Sequence, residues 1–374
     1  MNPSIATTNN IRQPESHMKT QNLSEKEKKP QVTMADIAAR AGVAVSTVSR
    51  VINRSPLVAP EKRIMIESVI AEMGYKAVPV EKRKGIRKDP WPWIKYHTLK
   101  VILFGKYDLY WITNYAPVFS YALHGIEEAL TAYDFRRELE RAESKADLLK
   151  VLNKGGADGF LILNTSHEPL PEEICNYPVA VFMGSHDHLS CDRVMPNAER
   201  AGVLAAEYLQ SKECRACIAI GGDTPIYRKR IKAFCETLST YGIQAVEILD
   251  ENIERGGSRI NQANRALIAD HVKPKINEAN KPIGIFSVAD LITPVLYSIM
   301  TEAGFKVGHD LHIVSCNNER PYLDHLYPPP AVIDTQADYI GQRVVRQLLR
   351  RLENTKSPHE IILIDPKLIL PDTC

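Results

Sequence analysis

From Leu99 onward, short apolar runs alternate with stretches whose apolar residues recur every three to four positions. The runs fall at 100–104, 159–163, 179–182, 218–220, 245–249, 283–286, 313–315 and 332–333. Helical spacing falls at 118–132, 198–210, 230–241, 291–302 and 336–352. Strands alternating with helices predict parallel sheets covered by helices. About 280 residues of this pattern exceed what one compact sheet needs, so two similar lobes are expected.

The N-terminal pattern is different. Residues 34–41 place Ile37, Ala38 and Ala41 on one helical face. Thr33 precedes them as an N-cap, and Gly42 ends the helix where a positive φ is needed. A second helix is predicted over 45–52, with Val48, Val51 and Ile52 apolar and Ser46, Thr47, Ser49, Arg50 and Asn53 polar. A third covers 60–73 and closes on Gly74-Tyr75. Two short helices around a tight glycine turn describe a helix-turn-helix, whose second helix presents side chains to the DNA major groove.

Thr33, Asp36, Ile37, Ala38, Ala41, Gly42, Val43, Ser46, Thr47, Val48, Ser49, Arg50, Val51 and Asn53 together closely resemble the headpiece of the LacI/GalR family of transcriptional regulators. The resemblance implies base-edge contacts for Val45, Ser46 and Arg50, and phosphate contacts for Thr33, Ser49 and Asn53. Thr47 and Val48 match packing positions. An arginine fork suits guanine O6 and N7, and a phosphate contact alone is the other reading for Arg50.

The headpiece is assigned to 32–78. Residues 1–31 before it are polar and poor in large apolar side chains, so a disordered extension is expected there. Residues 79–97 form a basic linker or hinge, in which Lys82, Arg83 and Lys84, with Arg87 and Lys88, make a dense positive patch suited to phosphates. The family's hinge helix, with its minor-groove leucine, is not recognisable here. A short helix starting at Pro79 and a linker that tracks phosphates both fit, and Gly85 and Pro90 oppose a long helix. Trp91 and Trp93 are expected to pack on the core or on a partner subunit.

The resemblance continues through 98–374. Pro117 to Leu130 resembles the first lobe's cleft segment and its helix. Ala157-Asp158-Gly159 and the apolar run after it resemble a DG-and-strand signature. Arg230 to Phe234 resembles R-x-x-G-F, with Ala233 where glycine is usual, Phe286 to Asp290 resembles the second lobe's strand-then-aspartate segment, and Ile362 to Leu370 resembles the closing strands. The fold implied is an N-terminal all-α helix-turn-helix headpiece followed by an α/β, two-lobed, periplasmic-binding-protein-like core with doubly wound parallel sheets. Loops after the strands should line a ligand cleft between the lobes. Two departures stand out: Asn197-Ala198 occupies the family's aspartate-asparagine position, and Ser315-Cys316-Asn317-Asn318 replaces glycine-tyrosine-aspartate-asparagine.

Six residues are candidates for binding an effector. Arg230 offers a planar fork for hydroxyls or anions, or is an exposed helix-start arginine. Asp290 accepts from ligand hydroxyls, or caps the helix that follows. Phe119 stacks on a sugar face, or belongs to the core. Tyr115, Asn164 and Asn318 complete the set.

Composition narrows the function. The formal net charge is +2, so contact with nucleic acid must come from local clustering rather than from a polycationic chain. No apolar run approaches the roughly 18 residues needed to span a bilayer, and the N-terminus lacks an apolar signal core. With seven scattered cysteines, the expectation is a cytoplasmic protein with reduced thiols. Cys214-Arg-Ala-Cys217 has no second pair, His186-Asp-His188 has no distant partner, and Gly221-Gly222 lacks the lysine of a phosphate loop. No metal, cofactor or enzymatic activity is expected. The expected function is sequence-specific regulation of transcription as a repressor, by a homodimer on pseudo-palindromic double-stranded operator DNA. A small-molecule effector between the lobes, of the carbohydrate class, would tune operator affinity. A solute-binding protein or a sugar enzyme on the same core is the alternative, and the headpiece argues against both.

Overall fold

The computed structural model describes residues 32–52, 58, 60–75, 92–165, 168–184, 186–255, 262–276 and 281–371. The disordered extension expected over 1–31, residues 79–91 of the basic linker or hinge expected over 79–97, and Asn53, Lys82, Arg83, Lys84 and Trp91 lie outside the described residues. The chain divides into two compact units, 1–88 and 89–374.

The first unit holds three helices, α1 (Met34–Ala41), α2 (Val45–Ile52) and α3 (Pro60–Glu72). Thr33 opens α1 with a reciprocal capping box. Its hydroxyl accepts the Asp36 N–H at 3.3 Å, and the Asp36 carboxylate accepts the Thr33 N–H at 2.8 Å. Gly42 ends the helix at φ 61°, which a side chain would strain. Ile37, Ala38, Val48, Val51 and Ile66 meet in the small core between the three helices. Truncating fully buried Ile37 or Ile66 to alanine would cost about 2–5 kcal/mol, a large share of what so small a core supplies.

The second unit has two lobes. The first contains β1 (Thr98–Phe104), α4 (Leu109–Tyr115), α5 (Pro117–Ala132), β2 (Arg136–Ala142), α6 (Lys145–Asn153), β3 (Gly159–Asn164), β4 (Val179–Phe182) and β5 (Asp192–Pro196). The second contains α7 (Ala198–Ser211), β6 (Ala216–Gly221), α8 (Pro225–Thr240), β7 (Ala245–Leu249), α9 (Asn252–Arg255), α10 (Gln262–Val272), β8 (Ile283–Ser287), α11 (Thr293–Glu302), β9 (Leu311–Cys316), α12 (Arg320–Leu323) and β10 (Ala331–Asp334). The chain then returns to the first lobe with α13 (Ala337–Glu353) and β11 (Ile361–Ile364), and ends in the second with β12 (Lys367–Ile369).

Each lobe has a six-stranded sheet, ordered β11-β5-β4-β3-β1-β2 in the first and β12-β10-β9-β8-β6-β7 in the second. All pairings are parallel except that of β10 with β12. The central strands are apolar on both faces because helices cover both faces, as in β3 and β4. In the first lobe α5 and α13 cross closely at Gly125 and Gly341. A Cβ on Gly341 would lie 2.0 Å from the Ala122 carbonyl oxygen, so only glycine fits. Among the described residues no helix is long and apolar enough to cross a membrane.

Three chain crossings join the lobes, and their residues bond to one another. Asn197 at the first crossing caps α7 by accepting the Arg200 N–H at 3.0 Å, and its Nδ2 donates to Asp365 Oδ1 at 2.7 Å. Gln336 at the second crossing donates to the Asp365 carbonyl at 2.6 Å. The Asn197 departure therefore has a physical role: an aspartate would cap α7 equally well but could not donate to Asp365.

Candidate functional site

Two surfaces carry the chemistry, one in each unit. In the helical unit, burial of Val48 and Val51 fixes the rotation of α2, so Val45, Ser46 and Arg50 face outward. Val45 is 46% exposed, an unusual position for a valine in a protein with this much core. Ser49 is half-buried. Thr33 is exposed, but its N–H and hydroxyl both reach Asp36, so its first role is to hold α1. Arg40 on α1 meets Glu72 on α3 at 2.6 Å in an exposed ion pair.

In the core unit, the loops after β1, β3 and β4 of the first lobe face the loops after β6, β8 and β9 of the second across a cavity of about 380 Å³. This is where strand carboxyl ends in open α/β sheets place a ligand. Tyr107, Trp111, Tyr115, Phe119 and Tyr227 line it with aromatic faces, and the Tyr107 and Trp111 rings stack at 3.7 Å. Asn164, Thr165, His186, His188, Thr224, Asn317 and Glu319 supply polar groups. Tyr115, Phe119 and Asn164 thus lie at the cavity, and Asn164 Nδ2 donates to the Glu168 carbonyl at 2.8 Å.

Arg230, Asp290 and Asn318 do not line the cavity, which corrects their expected place in it. Arg230 is only 3% exposed. Its guanidinium donates to the Val288 carbonyl at 2.5 Å and to Asn317 Oδ1 at 3.0 Å. A charge so deeply placed has to be matched by acceptors of the protein itself. Asp290 is fully buried, accepting the Ser315 hydroxyl and the Glu319 N–H, the latter at 2.6 Å. Burial pushes its carboxyl up, against the hydrogen bonds and the nearby Arg230 that favour the charged form. Asn318 sits at φ 67° and donates to Asp334 at 3.3 Å, away from the cleft. The departure at Ser315–Asn318 thus builds a support beneath the cleft floor, reaching from Asp290 through Ser315 to Thr293 at 2.6 Å.

His186, Asp187 and His188 form a turn at the cleft edge, and sequence spacing did not mark it as cleft lining. Both imidazoles line the cavity. Burial, helped by the neighbouring His188 and Arg193, pushes the His186 imidazole down to about 4. Polar links also join the lobes. The Val118 N–H donates to Glu319 Oε1 at 3.0 Å, the Tyr322 hydroxyl to the Tyr115 carbonyl at 3.0 Å, and Lys229 pairs with Asp187 at 2.6 Å. Cys214 and Cys217 are buried, and burial pushes each thiol up to about 12.

Residues 33–77 match the profile described as bacterial regulatory proteins, lacI family, and residues 206–374 match that of a periplasmic binding protein-like domain. The HTH-type transcriptional repressor PurR of Photobacterium profundum is 22% identical over 352 residues, which cover 90% of this chain and 97% of that protein. PurR of Serratia proteamaculans is 23% identical over 348 residues, 90% of this chain and 95% of that one. Among solved structures, a transcriptional regulator CelR–cellobiose complex superimposes with a TM-score of 0.59 at 22% identity, covering 91% of this chain and 98% of that one. The lac repressor dimer bound to operator and the anti-inducer ONPF gives 0.58 at 19% identity over the same shares. At these identities the structural likeness shows the fold.

Proposed function

Because the chain belongs to the LacI/GalR family of transcriptional regulators, we propose that its α2 reads operator bases and its cleft takes a small-molecule effector that tunes operator affinity. The observation that carries this reading is the outward face of α2. Val45, Ser46 and Arg50 stand exposed on a helix whose opposite face is locked into a core, as a major-groove reader requires. Ser49, Asn53 and Thr33 take phosphates, and Lys82, Arg83 and Lys84 add sequence-independent affinity.

The protein acts as a repressor and works as a homodimer on a pseudo-palindromic double-stranded site. Two copies related by a two-fold axis place two reading helices on matched half-sites. The structure similar to the core that holds cellobiose, together with the aromatic lining, supports an effector of the carbohydrate class, stacked on Phe119, Tyr115 and Trp111. Asn164 bonds it at the rim, while Arg230, Asp290 and Asn318 shape the floor from below. The effector changes operator affinity only through different affinities for two lobe arrangements. The chain is not an enzyme and works in the cytoplasm, where its DNA is.

The test has two stages. Selection of duplexes from a random pool by the full-length protein should yield a two-fold symmetric site bound more tightly than scrambled DNA by about 10³-fold or more. Titrating sugars into that complex should then shift its midpoint. A pool that never enriches a symmetric site would overturn the reading.

A further inference from the structure

Among the described residues, no lysine or arginine lines the cavity, and its carboxylates are Glu168 and Glu319. Arg230, the guanidinium that would meet an anion, faces Val288 and Asn317 instead. The cavity's natural anion position is the N-terminus of the 16-residue helix α5, where the dipole favours negative charge. Pro117 has no N–H and the Phe119 N–H donates to the Ala116 carbonyl at 3.0 Å, which leaves the Val118 N–H to meet an anion. That position is already filled. Glu319 reaches it from the opposite lobe and is 3% exposed. One of its oxygens accepts the Val118 N–H at 3.0 Å and the other accepts Asn317 Nδ2 at 3.3 Å. Asp290 fixes the Glu319 main chain, so the carboxylate is held in place.

The first lobe offers the complementary group. His186 lines the same cavity and is 5% exposed. Its Nε2 lies against Gly184, closed to solvent and with no hydrogen-bond partner among the described residues, so a ligand reaches it when the ring turns. The imidazole stays neutral at neutral pH. A neutral ring nitrogen can donate or accept according to its tautomer, which suits a ligand hydroxyl. A buried polar atom left unpaired is unfavourable, and a hydroxyl from the ligand relieves it.

We propose that Glu319 serves as the chain's own anionic ligand at the α5 terminus, so that the cleft selects an uncharged, hydroxyl-bearing ring bonded to His186 Nε2 and rejects its phosphorylated and carboxylated relatives. The inference rests on the reading of this cavity as the effector site. A second anion here would face a like charge in a poorly solvated space, with no lysine or arginine among the described lining residues to offset it.

The experiment is a thermal-shift series on the full-length protein. Formate should raise the melting temperature of Glu319→Ala by occupying the vacated carboxylate position, and sodium chloride at equal ionic strength should not. Wild type and Glu319→Gln, whose position is filled, should not respond to formate. Equal responses in all three, or none in Glu319→Ala, overturn the assignment of Glu319. In wild type, glucose 6-phosphate, gluconate, galactose 6-phosphate and galacturonate should produce no shift, and a shift from any of them overturns the proposal even if Glu319→Ala does not fold. An uncharged sugar that does shift wild type should lose about tenfold in affinity in His186→Gln, whose amide cannot match the ring nitrogen's placement. Unchanged affinity overturns the role of His186. A panel in which no sugar of either kind shifts wild type counts against the effector reading itself, while formate rescue still decides Glu319.

Discussion

Lys229 Nζ lies 2.6 Å from Asp187 Oδ2, so an ion pair joins α8 of the second lobe to the histidine-bearing turn of the first. Both side chains are substantially exposed, and such pairs are worth about 0–1 kcal/mol. Lys229→Ala is therefore expected to weaken effector binding by no more than about fivefold, in low salt more than in high. Exchanging the charges, with Asp187→Lys and Lys229→Asp together, should not restore the wild-type value, because Asp187 also pairs with the buried Arg193 at 3.5 Å. Calorimetric titration at two salt concentrations checks this. A deficit independent of salt would mean the pair does not act across the lobes.

Arg50 extends from the exposed face of α2. Removing a bidentate base contact costs about 1–3 kcal/mol of discrimination. Arg50→Ala should lose that much on the selected operator and much less on scrambled duplex. Gel-shift titrations of both DNAs at one salt concentration measure it. Equal losses on the two would assign Arg50 to the phosphates.

Asn197→Asp would restore the residue usual in the family yet is expected to destabilise the core unit. The new carboxylate would face Asp365 Oδ1 at the 2.7 Å now bridged by an amide hydrogen. The loss should be about 1 kcal/mol at neutral pH, from a missing hydrogen bond and like-charge contact. Denaturant melts of the two proteins at pH 7 give the number.

His186 makes a pH prediction. Its folded imidazole titrates near 4 and its unfolded one near 6.5. Between those values the unfolded chain binds a proton that the folded chain refuses, so stability falls as pH falls through that window. Asp187, His188 and Arg193 surround the group, and the like charges of His188 and Arg193 act in the same direction as burial. His186→Gln should flatten the slope of stability against pH between 6.5 and 4. A slope identical to wild type would show that the imidazole is not the group responsible.

Much of this architecture is legible along the chain. The helices of the small unit and most central strands fall where periodicity and apolar runs put them, because packing demands those patterns. β2 is not legible: Arg136–Ala142 reads RRELERA, without apolar alternation. It is an edge strand whose side chains pair instead with charges such as Glu127, 3.0 Å from Arg137. α8 begins at Pro225, five residues before its apolar pattern at Arg230 suggests. In the cleft, resemblance could place Tyr115 and Phe119, on α4 and α5, and Asn164, the last residue of β3, at the cavity. Arg230 and Asp290 could not, since residue type does not tell whether a side chain reaches into a cavity or supports its floor. That depended on Asn317 and Glu319, which lie 87 and 29 residues away and supply the competing bonds. Gly341 gave no sign of its role, because the carbonyl it admits belongs to Ala122, on a helix much earlier in the chain.

The return of the chain to the first lobe sets an order of assembly. The second lobe is nearly contiguous, from Ala198 to Asp334, and needs only the edge strand β12 from later sequence. The first lobe is made earlier, yet its core includes Ile340, Val344, Val345, Leu348 and Leu349 of α13 and Ile364 of β11. During synthesis the lobe that emerges first must therefore wait, with α5 uncovered, until the lobe that emerges second has been made. Until α13 and β11 have been made, that apolar face stays uncovered, while the second lobe lacks only its edge strand β12.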